Sequence, residues 1–174
     1  GAYIILDSDD NSNQLPALYL RDYDPFMNSP NNEDLYMVYG PSNLANILKI
    51  PLDQQWSNTF VMREDMDFII KPHEKASINC NASLLGYWSK PFKLNENDNT
   101  IITYSIPLID NSEKVRGIIG VEISLDYLYK HLPATELQPR DSLGYLIGYR
   151  KDNTDSIFPI VMRGALQRRM IDEA

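Results

Sequence analysis

Between Gly86 and Pro133 the chain reads GYWSKPFKL (86–94), TIITYSIPLID (100–110), VRGIIGVEISL (115–125) and DYLYKHLP (126–133). The first three runs carry aromatic or β-branched residues, which fit a pleated, half-buried surface, and polar turns separate them. The last is a short amphipathic helix. This order predicts an antiparallel meander whose final strand feeds a helix. Side chains alternate along a strand. Ile102, Tyr104 and Ile106 therefore share one face, and Thr103, Ser105 and Pro107 the other. On the next strand Ile118, Gly120, Glu122 and Ser124 share a face, while Ile119, Val121 and Ile123 turn away. A carboxylate on such a strand costs on the order of several kcal/mol if dry and unpaired. Glu122 thus needs a basic partner, a hydroxyl such as that of Tyr104, a water or a ligand.

Upstream, Ala2–Leu6 and Leu15–Asp22 predict a hairpin around the polar turn Asp7–Gln14, and Asp24–Asp34 reads as a loop. Pro41-Ser42-Asn43 opens a short helix with Ser42 or Asn43 as its cap, stopped by Pro51. Leu52–Phe60, with Trp56, reads as helix or irregular chain. Asp67–Ile70 is an apolar patch and His73–Ile78 a helical turn. Downstream come a linker, Ala134–Asp141, a strand, Leu143–Tyr149, a polar turn, Lys151–Ser156, and a second strand, Ile157–Met162. GAYIILDSDDNSNQLPALYLR and GYLIGYRKDNTDSIFPIVMR share a pattern that hints at an internal repeat. The reading divides the chain into a module over 1–133 and a linker with hairpin over 134–174. That tail either starts a second module or adds strands to the first.

Composition narrows the function classes. The 174 residues suit one domain, or one domain plus a fragment. A net charge of −8 disfavours a nucleic-acid groove. The one basic cluster, Arg163 with Arg168 and Arg169, fits a solvated helix face. Cys80 is the single cysteine, so an internal disulfide and a multi-cysteine metal site are excluded. No apolar run is long enough to span a membrane, and no signal peptide opens the chain. The start inside a β-like run reads as a domain from a larger protein. Asn81-Ala82-Ser83 fits a glycosylation sequon of little weight.

Enzyme signatures are absent. His73 and His131 belong to no metal-binding pattern, and neither a nucleophile elbow nor a P-loop occurs. Asp7–Asn11 begins like a calcium loop but has Ser12 where that loop needs Gly and Leu18 where it needs Glu. No catalytic residue, metal ligand or cofactor is therefore assigned. Asp22 and Asp24 are the acid pair a hydrolase reading would use. Arg21, in the charged strand end Arg21-Asp22-Tyr23-Asp24, is available to a carboxylate or hydroxyl.

The stretch from Trp88 through Tyr104-Ser105-Ile106-Pro107-Leu108-Ile109-Asp110 to Gly117-Ile118-Ile119-Gly120-Val121-Glu122-Ile123-Ser124-Leu125 resembles the Cache family of extracytoplasmic sensor domains, in particular the membrane-distal module of a double Cache sensor. The resemblance covers about residues 84–132. It implies an α+β fold, a PAS-like antiparallel sheet flanked by helices. It also implies a bacterial transmembrane parent: a histidine kinase, diguanylate cyclase or chemoreceptor. In the amino-acid-binding branch the Trp strand carries R-x-W-Y, whose Arg holds the ligand carboxylate, and an Asp holds the amine. Here the strand reads Gly86-Tyr87-Trp88-Ser89, and Glu122 stands at the Asp.

The resulting expectation is a non-enzymatic, extracytoplasmic domain that senses a small polar molecule. Trp88, Tyr104 and Glu122 would hold it, with Tyr87, Ile106 and Arg21 nearby and the segment around Trp56 closing over it. Expected partners are that ligand, no nucleic acid, and a membrane only through flanking helices of the parent; the reading leaves room for a homodimer. The rival readings are an empty PAS-like interaction module and, behind it, the hydrolase.

Overall fold

The computed structural model describes residues 1–8, 12–24, 34–77, 81, 84–133, 135–137, 142–150 and 156–167. The middle of the first polar turn, the loop over 25–33, Cys80, most of the sequon, the turn over 151–155, and Arg168 and Arg169 lie outside them.

The elements run in order β1 (Ala2–Leu6), β2 (Gln14–Leu15), β3 (Ala17–Asp22), β4 (Leu35–Tyr39), α1 (Ser42–Leu48), β5 (Leu52–Ser57), β6 (Phe60–Val61), α2 (Asp67–Ala76), β7 (Tyr87–Trp88), β8 (Ile101–Ile109), β9 (Val115–Ser124), α3 (Leu125–His131), β10 (Gly144–Arg150) and β11 (Ile157–Gly164). Seven strands form one sheet in the order β5-β4-β3-β1-β9-β8-β7. The expected meander is its β9-β8-β7 edge, and β1 docks antiparallel against β9. The sheet is antiparallel apart from the parallel pair β4–β5. This is the expected α+β, PAS-like architecture.

The chain divides into two compact units, one of residues 1–89 and 103–122 and one of 90–102 and 123–174. In the first, strand alternation creates two unlike sheet faces. Tyr3, Ile5, Ala17, Tyr19, Arg21, Thr103, Ser105, Ile118 and Glu122 are buried on the inner face. Tyr3 stacks on its cross-strand partner Tyr19 at 4.9 Å and meets Phe68 of α2 edge-on at 5.6 Å. Such aromatic pairs add roughly 0.5–1.5 kcal/mol each beyond their burial. On the outer face Leu18 and Leu20 pack with Trp56 against Met37, Ala45 and Ile50, which places α1 there. Gly117 has φ +143°, and a Cβ at that position would run into the Ile5 carbonyl oxygen, so the close β1–β9 approach requires glycine.

Several local expectations change. Pro41 occupies the N-cap of α1; neither Ser42 nor Asn43 caps it by a side chain, and the Pro41 carbonyl accepts from the Leu44 amide instead. The helix ends before Pro51 because Lys49 turns left-handed. Trp56 lies on strand β5, held by its edge pairing with β4. The patch at Asp67–Ile70 and the turn after it are one helix, α2, continuous through Pro72. β4 was not foreseen.

In the second unit β10 and β11 form the expected antiparallel hairpin. Ser124 caps α3, its Oγ accepting from the Tyr127 amide at 3.1 Å. Arg163, expected on a helix face, sits on β11. Its guanidinium donates to the Tyr129 and Leu132 carbonyls at the C-terminal end of α3, where a helix leaves acceptors unsatisfied.

Candidate functional site

The inner face carries an ion pair that the alternation of three strands assembles. β1 lies between β3 and β9, and their registers bring Arg21 of β3 and Glu122 of β9 to the same end of the same face. Arg21 Nε donates to Glu122 Oε1 at 2.6 Å and Nη2 to Oε2 at 3.0 Å. The Tyr19 hydroxyl donates to Oε2 at 2.6 Å. Both charged residues are buried, at 6% and 7% exposure. The partner Glu122 required is thus a bidentate guanidinium plus a phenol, and that phenol belongs to Tyr19 and not Tyr104. Bidentate geometry and a third donor are what let a buried pair offset its desolvation. Burial, followed by the charge of Glu122, pushes the Tyr19 phenol well above its ordinary range.

Farther along the face lies a row of hydroxyls. Tyr3 Oη and Ser105 Oγ are 2.7 Å apart. Burial pushes the Tyr3 phenol up to about 12, more than the Ser105 and Thr103 hydroxyls pull it down. Thr103, 0% exposed, lies close enough to Tyr3 to help pull that phenol down, yet its side-chain oxygen makes no hydrogen bond of full geometry among the described residues. α2 covers this side through Phe68, and the Tyr87 hydroxyl donates to Asp67 at the start of α2 at 2.9 Å.

The outer face differs in chemistry. A groove of about 380 Å³ is lined by Ile4, Leu18, Leu20, Ile106, Ile119 and Val121, with Tyr104 beside them. Tyr104 packs on Trp88 at 5.0 Å, and Trp88 is 53% exposed. A side chain at Gly86 would run into the Tyr104 hydroxyl. Trp56 donates its indole N–H to the Gly40 carbonyl at 2.9 Å.

The seven candidates therefore fall into two sets. Arg21, Glu122 and Tyr87 belong to the inner face. Trp88, Tyr104, Ile106 and, packed like Leu18 and Leu20 against Met37, Ala45 and Ile50, Trp56 belong to the outer side. The structure joins Arg21 to Glu122 and Trp88 to Tyr104, but it does not bring Trp88 and Tyr104 onto the face of Glu122. Tyr3, Tyr19, Thr103 and Ser105 were missed; alternation on β1 and β3 would have found the tyrosines once those strands were placed beside β9. Asp22 spends a carboxylate oxygen on the Asp24 amide, in a local turn.

A mixed fold built on a largely antiparallel seven-stranded sheet, with a helix over a polar-lined inner face, agrees with a PAS-like sensor fold. The family model for the methyl-accepting chemotaxis protein-like first PDC sensor domain matches residues 41–130, and the chain belongs to that family. The match spans six of the seven candidate positions and leaves out Arg21. No curated protein and no solved structure gives a match. A domain of this family is a sensing rather than a catalytic module, and in chemoreceptors it is typically extracytoplasmic. Among the described residues no helix is long and apolar enough to cross a membrane.

Proposed function

We propose that this chain is the extracytoplasmic, small-molecule-sensing domain of a bacterial transmembrane receptor of the chemoreceptor type, and that its ligand sits on the inner face beneath α2. The observation that carries the site is the buried cluster of the Tyr3, Thr103 and Ser105 hydroxyls, in which the Thr103 oxygen interacts with Tyr3 but makes no hydrogen bond of full geometry among the described residues. A buried polar group left unsatisfied costs roughly 1–3 kcal/mol, and a ligand hydroxyl or amide would supply the missing bond. Glu122 and Arg21 close one end of this face as a matched pair. Their charges are mutually spent, and the position of the branch's carboxylate-binding Arg is Gly86, where Tyr104 fills the space. The reading therefore favours an uncharged, hydroxyl- or amide-bearing ligand over a free α-amino acid.

A thermal-shift screen of neutral polyols, amides and amino acids, followed by calorimetry, tests this. Thr103→Val should weaken a neutral hit by roughly three- to tenfold, the worth of one hydrogen bond. An amino acid as the tightest ligand, with an affinity indifferent to Thr103→Val, contradicts the proposal.

The outer groove favours a second reading, a PAS-like module that docks an apolar partner segment. Its lining offers dispersion and burial but little hydrogen bonding. A Trp88→Ala variant that loses a partner while keeping small-molecule binding would support it.

A further inference from the structure

On β9, Ile118, Gly120 and Glu122 alternate onto the inner face, where Ile118 and Glu122 are buried. The position between them has no side chain. Its cross-strand partner on β1 is Tyr3, and the partner of Tyr3 on β3 is Tyr19. One row of the inner face therefore reads Tyr19, Tyr3, Gly120: two phenols beside a gap. The Tyr3 phenol lies in that gap. It crosses β9 over Gly120, and its hydroxyl comes within 2.7 Å of Ser105 Oγ on β8. β8 is two strand spacings from β1, about 10 Å, a span that a phenol closes only by lying along the sheet. A Cβ at position 120 would run into Cζ and Oη of Tyr3. Tyr19 follows the same lean. Its ring stacks on that of Tyr3 at 4.9 Å with 17° between the planes, and its hydroxyl crosses β1 to reach Glu122 on β9 at 2.6 Å. Each phenol spans the strand next to its own, and the displacement begins at the one position of the row that is empty.

We infer that Gly120 is a positioning residue of the inner-face site: its missing side chain lets Tyr3 lie across β9, and so sets both the hydroxyl pair beside Thr103 and the third donor to Glu122. That this site binds a ligand is the function proposed above, on which the inference rests; its test uses no ligand, so that either can fail alone. Any side chain at position 120 lifts the Tyr3 phenol off Ser105 and takes from Tyr19 the ring it leans on. Position 120 is also close to the backbone of β8, where a Cβ would lie 2.6 Å from the Tyr104 carbonyl oxygen. A glycine needed only for that backbone contact would have nothing to do with the site, and the two demands separate once the Tyr3 ring is removed.

The test is urea unfolding of the 174-residue chain. Gly120→Ala should lower the midpoint by roughly 1 M, as overpacking a filled site does. In a Tyr3→Leu background the same substitution should cost less than about half as much, because the ring it meets is gone. If Gly120→Ala alone does not fold, a cooperative transition regained by adding Tyr3→Leu is the same result. Gly120→Ala should also flatten the fall of the midpoint between about pH 9 and pH 12. Burial holds the Tyr3 phenol at about 12 in the fold, against roughly 10 in the unfolded chain, so its share of the stability is whole below pH 10 and is lost above it. A phenol lifted toward water gives up that share. Equal losses in the two backgrounds overturn the inference, since the Tyr104 carbonyl would then be the whole reason for the glycine. So does an unaltered alkaline fall, or the failure of both Gly120→Ala chains to fold.

Discussion

Glu122 shows how one residue ties sequence to site. Its strand position demanded a partner, and the fold supplies Arg21 from two strands away with Tyr19 as a third donor. Arg21→Met should destabilise the protein by about 3–5 kcal/mol in urea unfolding, since it strands a buried carboxylate. Arg21→Met with Glu122→Leu should recover most of that loss, because the pair is then replaced by apolar volume. The need for a partner was legible in the sequence, but its identity was not. It depends on which strand lies beyond β1, and no local pattern encodes a pairing between residues 101 positions apart. The same burial has an alkaline consequence. Tyr3, raised to about 12, and Tyr19, raised well above its ordinary range, resist ionising in the fold. An unfolded tyrosine ionises near pH 10, so the stability linked to these two is whole below that pH and is lost as the pH climbs toward 12. Urea midpoints measured from pH 9 to 12 should fall, and Tyr3→Phe should make the fall shallower.

The elements divide by how local their causes are. β8, β9 and α3 were legible because alternation, a polar turn and a Ser cap all lie within a few residues of one another. β5 was not, because its strand character comes from pairing with β4 and not from its own polar sequence, LDQQWS. α2 joins two stretches that the sequence presents as separate, across a Pro72 of the kind that usually breaks a helix; burial of Phe68, Ile69 and Pro72 itself accompanies its continuity. In the second unit α3 depends on Arg163 for its last carbonyls. Arg163→Ala should raise amide exchange at the C-terminal end of α3 and cost about 1–3 kcal/mol, the worth of charge-assisted hydrogen bonds. A surface-like change of under about 0.5 kcal/mol would mean that the helix end is satisfied by other groups.

At the scale of the molecule, the sheet separates two chemistries that the sequence had merged. The inner face holds a matched ion pair and a row of hydroxyls under α2; the outer face holds an apolar groove beside Trp88 and Tyr104. Strands β1, β3, β8 and β9 contribute to both, so a molecule seated on one face acts on the same backbone that shapes the other. A ligand shifts such a system only by its differential affinity for two states, and here that difference would lie in how firmly α2 closes. The most direct measurement is isothermal calorimetry of the best neutral ligand from the thermal-shift screen against the unmodified chain, Thr103→Val with Ser105→Ala, and Trp88→Ala. The inner-face double variant should lose at least about tenfold in affinity, two hydrogen bonds' worth, while Trp88→Ala binds as the unmodified chain does. Full affinity in the double variant, with the loss falling on Trp88→Ala, would contradict the inner-face site.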